Sequence, residues 1–157
     1  MQGFARDNQI LRKRCFPAWQ QGDHWAGLDK RRQIEKGHFM AGRLTTHVLD
    51  TARGKPADGI RIVLYRVTAD SRRKIAEAET NTDGRTDAPM LQGDAFGPGG
   101  YELVFCAGDY LRRTGQATGD VLFLDEIPIR FGIADAGQHF HVPLLLSAFG
   151  YSTYRGS

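Results

Sequence analysis

Hydrophobic and polar residues alternate in short runs along most of this chain, and turn-forming residues separate the runs. The stretch IRIVLYRV, residues 60–67, alternates isoleucine and leucine with arginine and tyrosine. That two-residue period is typical of a β-strand with one buried face. β-Branched residues are frequent in RLTTHVLD, residues 43–50, and the turn formers of ARGKPADG follow directly. The pattern therefore predicts short strands joined by turns.

Further segments extend this pattern towards the end of the chain. Three of them have strand-like composition: GGYELVFCAGDY, IPIRFGI and HFHVPLLLSAFGYSTY. An Asp-Gly turn lies between extended residues in a fourth, TNTDGRT. We expect at most one short helix, in LRRTGQATGDVLF at residues 111–123, because glycine disfavours helices. About seven or eight short strands without an internal repeat predict an all-β fold. A β-sandwich buries that many two-faced strands.

The first 39 residues differ from the rest of the chain. They contain both tryptophans, yet their hydrophobic residues follow neither the helical period of 3.6 nor the strand period of 2. Met40 opens MAGRLTTHVLD, a natural start for the folded domain. We predict a domain spanning residues 40–157. We expect residues 1–39 to be a disordered extension or the product of a start codon assigned too early.

The formal net charge of +3 at pH 7 comes from the extension alone. Residues 1–39 hold eight basic and four acidic residues, whereas residues 40–157 hold thirteen basic and fourteen acidic ones. The domain therefore lacks the basic surplus of a nucleic-acid binder. No apolar run approaches the roughly 20 residues that span a bilayer, so we expect no membrane partner. Only two cysteines and no signal-like N-terminus favour a reducing cytoplasm.

Three histidines of the domain are the candidates for chemistry. His47 lies within LTTHVLD, where a histidine is either a structural residue or a base with a pKa near the working pH. HFH places His139 and His141 on one face of a strand, because side chains repeat every second residue. That spacing also suits two metal ligands. No cysteine or carboxylate stands where it would complete a zinc site, so we predict no metal.

Five segments, taken in order, resemble one protein family. They are similar to segments of the 5-hydroxyisourate hydrolases, the transthyretin-related enzymes of urate breakdown. The segments are LTTHVLD, GKPADGI, TNTDGR, GDY and HFHVPLLLSAFGYSTYRGS. The resemblance covers residues 43–157. Its most specific element is YRGS at residues 154–157, which separates the hydrolases from the transthyretins, the hormone carriers of the same fold. Phe140 and the SAFGY segment depart mildly from the family's usual residues.

The resemblance implies a transthyretin-like β-sandwich and assigns a site by position. His47, Arg85 after the Asp-Gly turn, and His141 correspond to the family's catalytic residues. His47 and Arg85 also bind the substrate, together with Tyr154 and Ser157. The implied reaction hydrolyses a cyclic amide of 5-hydroxyisourate and gives 2-oxo-4-hydroxy-4-carboxy-5-ureidoimidazoline without any cofactor. The implied assembly is a homotetramer with sites between dimers.

The residue types suit this reaction. Our hypothesis makes His47 the general base for water, with His141 holding the water or the substrate and Arg85 binding the ring and the developing oxyanion. One alternative is a non-catalytic, transthyretin-like carrier of a small ligand, although a carrier gains little affinity from these polar residues. A second alternative is a purely structural β-sandwich in which His47 is a packing residue. A third is a metal-dependent hydrolase whose metal ligands come from the HFH segment. Which histidine is the base, and what His139 does, stay open.

Overall fold

A computed structural model describes residues 42–156, so the predicted extension and Ser157 lie outside the described residues. Within this part of the chain, nine strands form two sheets that share one hydrophobic core. The strands are β1 Arg43–Asp50, β2 Lys55–Pro56, β3 Arg61–Val67, β4 Arg72–Glu79, β5 Leu91–Gln92, β6 Gly99–Cys106, β7 Glu126–Ile133, β8 His139–Ser147 and β9 Gly150–Thr153. One α-helix, α1, spans Gly108–Arg113, and a 3-10 turn spans Gly93–Ala95.

One parallel pair stands at the centre of the first sheet. Its order is β2–β1–β8–β9, with β5 also paired to β1, and the second sheet has the order β4–β3–β6–β7. β1 and β8 run parallel, whereas the other strand pairs are antiparallel. The parallel register sets Thr45 opposite His141 and His47 opposite Pro143. Two segments distant in sequence are thereby joined side by side.

Alternate residues of the central strands face the core. Leu44 and Val48 of β1 are fully buried, as are Leu144 and Leu146 of β8. The residues that alternate with them, Thr45, His47 and Leu49 of β1 and Leu145 of β8, are less buried and lie on the outer face of the sheet. The two-residue hydrophobic period therefore identified the buried face correctly, and the prediction of an all-β sandwich is confirmed.

Two local elements differ from the prediction. The helix begins at Gly108 and ends at Arg113, so our placement in residues 111–123 was wrong in position. The Gly-Asp pair of GGYELVFCAGDY begins the helix, and Gly115, with a φ of 71°, follows its end. β4 escaped prediction because five of its eight residues, RRKIAEAE, are charged. No helix in the described part of the chain is long and apolar enough to cross a membrane.

A buried carboxylate connects the end of β1 to α1. Asp50 is only 1% exposed, and its Oδ2 accepts hydrogen bonds from the Tyr110 hydroxyl at 2.7 Å and from Gln116 Nε2 at 2.6 Å. Its Oδ1 accepts the backbone N–H of Arg53 at 2.9 Å. Because a buried charge is costly unless hydrogen bonds compensate it, these three donors stabilise the carboxylate.

We expect Tyr110→Phe to lower the free energy of unfolding by about 1–3 kcal/mol, because it removes one donor from the buried Asp50 carboxylate. Urea denaturation at one fixed protein concentration measures the change. Tyr151→Phe is the matched control, since that side chain is 47% exposed. Equal stability of the two variants would contradict the assigned role of the Tyr110 hydroxyl.

Candidate active site

The outer face of the β1–β8 pair carries two of the predicted histidines in one hydrogen-bonded group. The Thr45 hydroxyl oxygen lies 2.8 Å from Nε2 of His139 and 2.9 Å from Nδ1 of His141. The two ring centroids are 6.5 Å apart. The prediction that the HFH histidines share a face is therefore correct, and a threonine from a strand 94 residues away joins them.

A tight turn carries Arg85 to β1. The Asn81 side-chain oxygen accepts the backbone N–H of Arg85 at 3.2 Å, and Asn81 N–H donates to the Arg85 carbonyl at 2.8 Å. The Gly84 carbonyl accepts the backbone N–H of Val48 at 2.8 Å, and Arg85 forms an antiparallel bridge with His47. Gly84 has a φ of 70°, and a Cβ there would lie 2.3 Å from the Val48 carbonyl oxygen. Only glycine permits this approach.

His47 and His141 are held in their neutral forms. Burial lowers the pKa of His47, and the positive charge of Arg85 lowers it further. A hydrogen bond with the Asp83 backbone and the negative charge of Asp83 both act to raise this pKa, but by less. Burial also lowers the pKa of His141, with additional contributions from Arg85, His47 and His139. Nε2 of His47 is buried and has no hydrogen-bond partner among residues 42–156. At neutral pH both imidazoles can therefore accept a proton.

A polar cavity of about 380 Å³ opens on this face, in the size range of small-molecule sites. Arg85, His139 and His141 line it, and Asp87 contributes a carboxylate that accepts a hydrogen bond from Asn81 Nδ2 at 2.9 Å. The other lining residues are Arg43, Thr45, Thr46, Thr86, Ala88 and Pro89. With arginines, histidines and hydroxyls in its walls, the cavity suits a small ligand rich in oxygen and nitrogen atoms.

The segment after β9 returns to His141. Gly156 N–H donates to the His141 carbonyl at 2.7 Å, and His141 N–H donates to the Gly156 carbonyl at 3.3 Å. Arg155 donates to Gln138 Oε1 at 2.6 Å, and its guanidinium lies 4.4 Å from the centroid of the Phe140 ring. Arg155 and Gly156 are therefore anchored along β8 at the site itself.

Some of the predicted residues do not reach the cavity within one subunit. Tyr154 is 57% exposed and lies outside the cavity lining, as does His47, whose Nε2 is buried. Ser157 lies outside the described residues. Our sequence reasoning did not identify Thr45 or Asp87. The alternation along β1, which places Thr45 on the same face as His47, is the signal that would have pointed to Thr45.

The HFH pair does not form part of a larger ligand cluster in the described residues. Across residues 42–156, no group of three or more His, Cys, Asp or Glu side chains is arranged to hold a metal ion. The Thr45 hydroxyl lies within hydrogen-bonding distance of one nitrogen of each ring. In this part of the chain, the two histidines are therefore linked through a hydroxyl.

Comparisons with known proteins identify the same architecture. The model of the HIUase/Transthyretin family matches residues 44–156. The "5-hydroxyisourate hydrolase 2" of Rhizobium meliloti (strain 1021) is 60% identical over 117 residues, covering 74% of this chain and 98% of that protein. The Klebsiella pneumoniae 5-hydroxyisourate hydrolase structure has 33% identity and a TM-score of 0.62, covering 74% of this chain and 99% of that one. Sea bream transthyretin, solved in complex with thyroxine, has 25% identity and a TM-score of 0.65, covering 73% and 94%. The predicted transthyretin-like fold is confirmed.

If this site is catalytic, we expect Gly156→Ala to reduce its turnover number by about tenfold, because small displacements of site residues are costly to catalysis. An added Cβ would lie 3.0 Å from Cδ2 and 3.1 Å from Cβ of His141, so the ring or the tail must move. Gly97→Ala is the control, since its added Cβ has no neighbour within 4 Å. Steady-state kinetics of both variants measure the effect. Unchanged turnover in Gly156→Ala would show that the contact does not position His141.

Proposed function

We propose that this chain, which belongs to the HIUase/Transthyretin family, hydrolyses 5-hydroxyisourate. Water opens a cyclic amide of this product of urate oxidation and gives 2-oxo-4-hydroxy-4-carboxy-5-ureidoimidazoline. The observation that carries the proposal is the Nε2 of His47, which is buried without a hydrogen-bond partner among residues 42–156 and lies within electrostatic reach of Arg85 and His141. The 60% identity to a 5-hydroxyisourate hydrolase, over nearly the whole length of that relative, supports the same activity.

His47 acts as the general base. Its Nε2 removes a proton from water while the water oxygen attacks the amide carbonyl carbon, and His141 holds the water or the substrate through a hydrogen bond. The lowered pKa of His47 keeps the imidazole unprotonated at neutral pH, which this role requires. A burial-depressed base also returns its proton readily in the following step.

Arg85 binds the substrate and stabilises the oxyanion. As water attacks, the carbonyl oxygen becomes negative, and a guanidinium held beside it stabilises that charge by about 3 kcal/mol in well-ordered sites. The C–N bond then breaks, the ring nitrogen takes the proton from the His47 imidazolium, and the carbonyl carbon becomes a carboxylic acid. The Asn81 turn supports this role, because it fixes the Arg85 backbone against β1.

The active form is a homotetramer with its sites between dimers, and Tyr154 and Ser157 help to bind the substrate there. Large apolar side chains exposed on the single subunit support assembly: Val121, Phe123, Phe149, Tyr151 and Tyr154. Phe123 and Phe149 form a pair with ring centroids 6.1 Å apart. Within residues 42–156, β9 is also an edge strand, and the backbone groups on its outer side favour further pairing.

The proposed enzyme needs no cofactor and works in the cytoplasm. The chemistry above uses only imidazole, guanidinium and water, and the sequence suggests a reducing compartment. A carrier of an apolar hormone is the weaker alternative, because arginine, histidine and carboxylate side chains line the cavity.

We expect the protein to accelerate the decay of 5-hydroxyisourate well above its spontaneous rate, and His47→Ala to lower that turnover by about 10²–10⁴-fold. The substrate is generated from urate with urate oxidase, and its absorbance decay is followed directly. Gln92→Ala, an exposed position on β5 beside β1, is the control and should retain activity. A folded protein without any acceleration would refute the hydrolase proposal. Full activity in His47→Ala would refute only the role of His47.

We expect size-exclusion chromatography with light scattering to give the mass of a tetramer. Phe149→Asp should weaken assembly and reduce turnover in parallel, because it places a charge on an exposed aromatic that is 77% accessible in the single subunit. Ala69→Asp introduces the same charge at an exposed turn after β3 and serves as the control. Monomers with full turnover would contradict the shared-site arrangement.

A further inference from the structure

Thr45 occupies an unusual position between two imidazoles. Its side chain lies on the outer face of β1, directly opposite His141 in the parallel register, and Arg43 lies opposite His139. The hydroxyl oxygen is within hydrogen-bonding distance of Nε2 of His139 and Nδ1 of His141, at 2.8 and 2.9 Å. Among the described residues, the hydroxyl makes no other hydrogen bond.

We propose that Thr45 is a positioning residue whose single hydroxyl proton forces His139 and His141 into the same tautomer. The hydroxyl thereby determines whether Nε2 of His141 accepts or donates a hydrogen bond in the site. This inference rests on the proposed hydrolase function for its kinetic consequence. Its structural content, the linked tautomers, does not depend on that function.

The argument follows from counting protons. A hydroxyl donates one hydrogen bond and can accept others, whereas a neutral imidazole has one N–H and one bare nitrogen. If Thr45 donates to Nδ1 of His141, then His139 must donate from Nε2, and both rings carry their proton on Nε2. If Thr45 donates to Nε2 of His139, then His141 donates from Nδ1, and both rings carry it on Nδ1. A mixed pair would leave the hydroxyl proton or a ring nitrogen without a partner.

The charges around the rings keep this link intact at neutral pH. Burial lowers the pKa of His139 and the charge of Arg43 lowers it further. Burial, Arg85, His47 and His139 all lower the pKa of His141. Both rings are therefore neutral at neutral and mildly alkaline pH, where each has one donor and one acceptor nitrogen. Under these conditions the hydroxyl selects between two linked states rather than four independent ones.

The link matters because Nδ1 of His141 is occupied by Thr45, which leaves Nε2 as the nitrogen that can meet water or substrate. With both protons on Nδ1, Nε2 of His141 is an acceptor and can hold a proton of the attacking water. With both on Nε2, it is a donor and can hold an oxygen of the substrate. Without the hydroxyl, His141 is no longer restricted to one tautomer, and only the fraction of molecules with the correct tautomer can support the reaction.

The first test is ¹⁵N NMR of histidine-labelled full-length protein at mildly alkaline pH, where the ring nitrogen shifts report the tautomer. His139→Gln assigns the signals. We expect the wild-type rings of His139 and His141 to share one tautomer, Thr45→Ser to preserve it, and Thr45→Val to give mixed tautomers in at least one ring. Opposite tautomers in the wild type would overturn the proposal, even if Thr45→Val did not fold.

The second test is kinetic. We expect Thr45→Val to lower kcat by about tenfold with KM changed by less than about twofold, and Thr45→Ser to restore most of the activity. Thr51→Val is the matched control, because it removes a hydroxyl just after the other end of β1 that, among residues 42–156, donates only to the Leu146 carbonyl. Unchanged kcat and unchanged tautomers in a folded Thr45→Val would overturn the proposal.

The two tests separate this inference from the proposed function. Wild-type protein that hydrolyses 5-hydroxyisourate but shows opposite tautomers would overturn the role of Thr45 alone. Linked tautomers in a protein that does not accelerate the reaction would overturn the hydrolase proposal and leave the Thr45 link in place.

Discussion

The parallel pairing of β1 with β8 is the constraint on which the site depends. Because side chains alternate along a strand, a slip of one residue would turn every outward group into the core. Leu44 and Val48 on one strand and Leu144 on the other are completely buried, so their hydrophobic contacts stabilise the register. The same register places Thr45 beside His141. Hydrophobic burial on one face of the sheet thereby determines polar geometry on the other.

Two glycines allow other parts of the chain to approach this pair. Gly84 permits the turn after Asp83 to dock on β1, which brings Arg85 opposite His47. Gly156 allows the backbone after β9 to run against the His141 ring, where a Cβ would be crowded. In both places the missing side chain is what lets backbone reach a functional residue. Glycine here acts on the site's geometry although it carries no chemistry of its own.

Burial and charge then favour the neutral forms of the two histidines beside Arg85. Burial and the positive charge of Arg85 lower the pKa values of both His47 and His141, which favours the neutral imidazole over the imidazolium in both rings near neutral pH. In the proposed mechanism the Arg85 guanidinium supplies the lasting positive charge, whereas the imidazoles exchange protons. This division matches the needs of amide hydrolysis, in which a base and an oxyanion stabiliser act at the same carbonyl.

By itself the sequence determined the buried faces of the main strands, because alternation is a local property. It also pointed to His47, Arg85 and His141, since these stand in recognisable short segments. It misplaced the helix start at Gly108, because the contacts between α1 and Asp50 that stabilise it are not local.

Only the tertiary structure decided which side chains meet. The contact of Thr45 with His139 joins residues 94 positions apart, and the pairing of Gly156 with His141 depends on a tail that returns to β8. The lowered histidine pKa values likewise arise from burial and from charges on other segments. Such effects depend on distance in space, and local patterns in a sequence do not contain that distance.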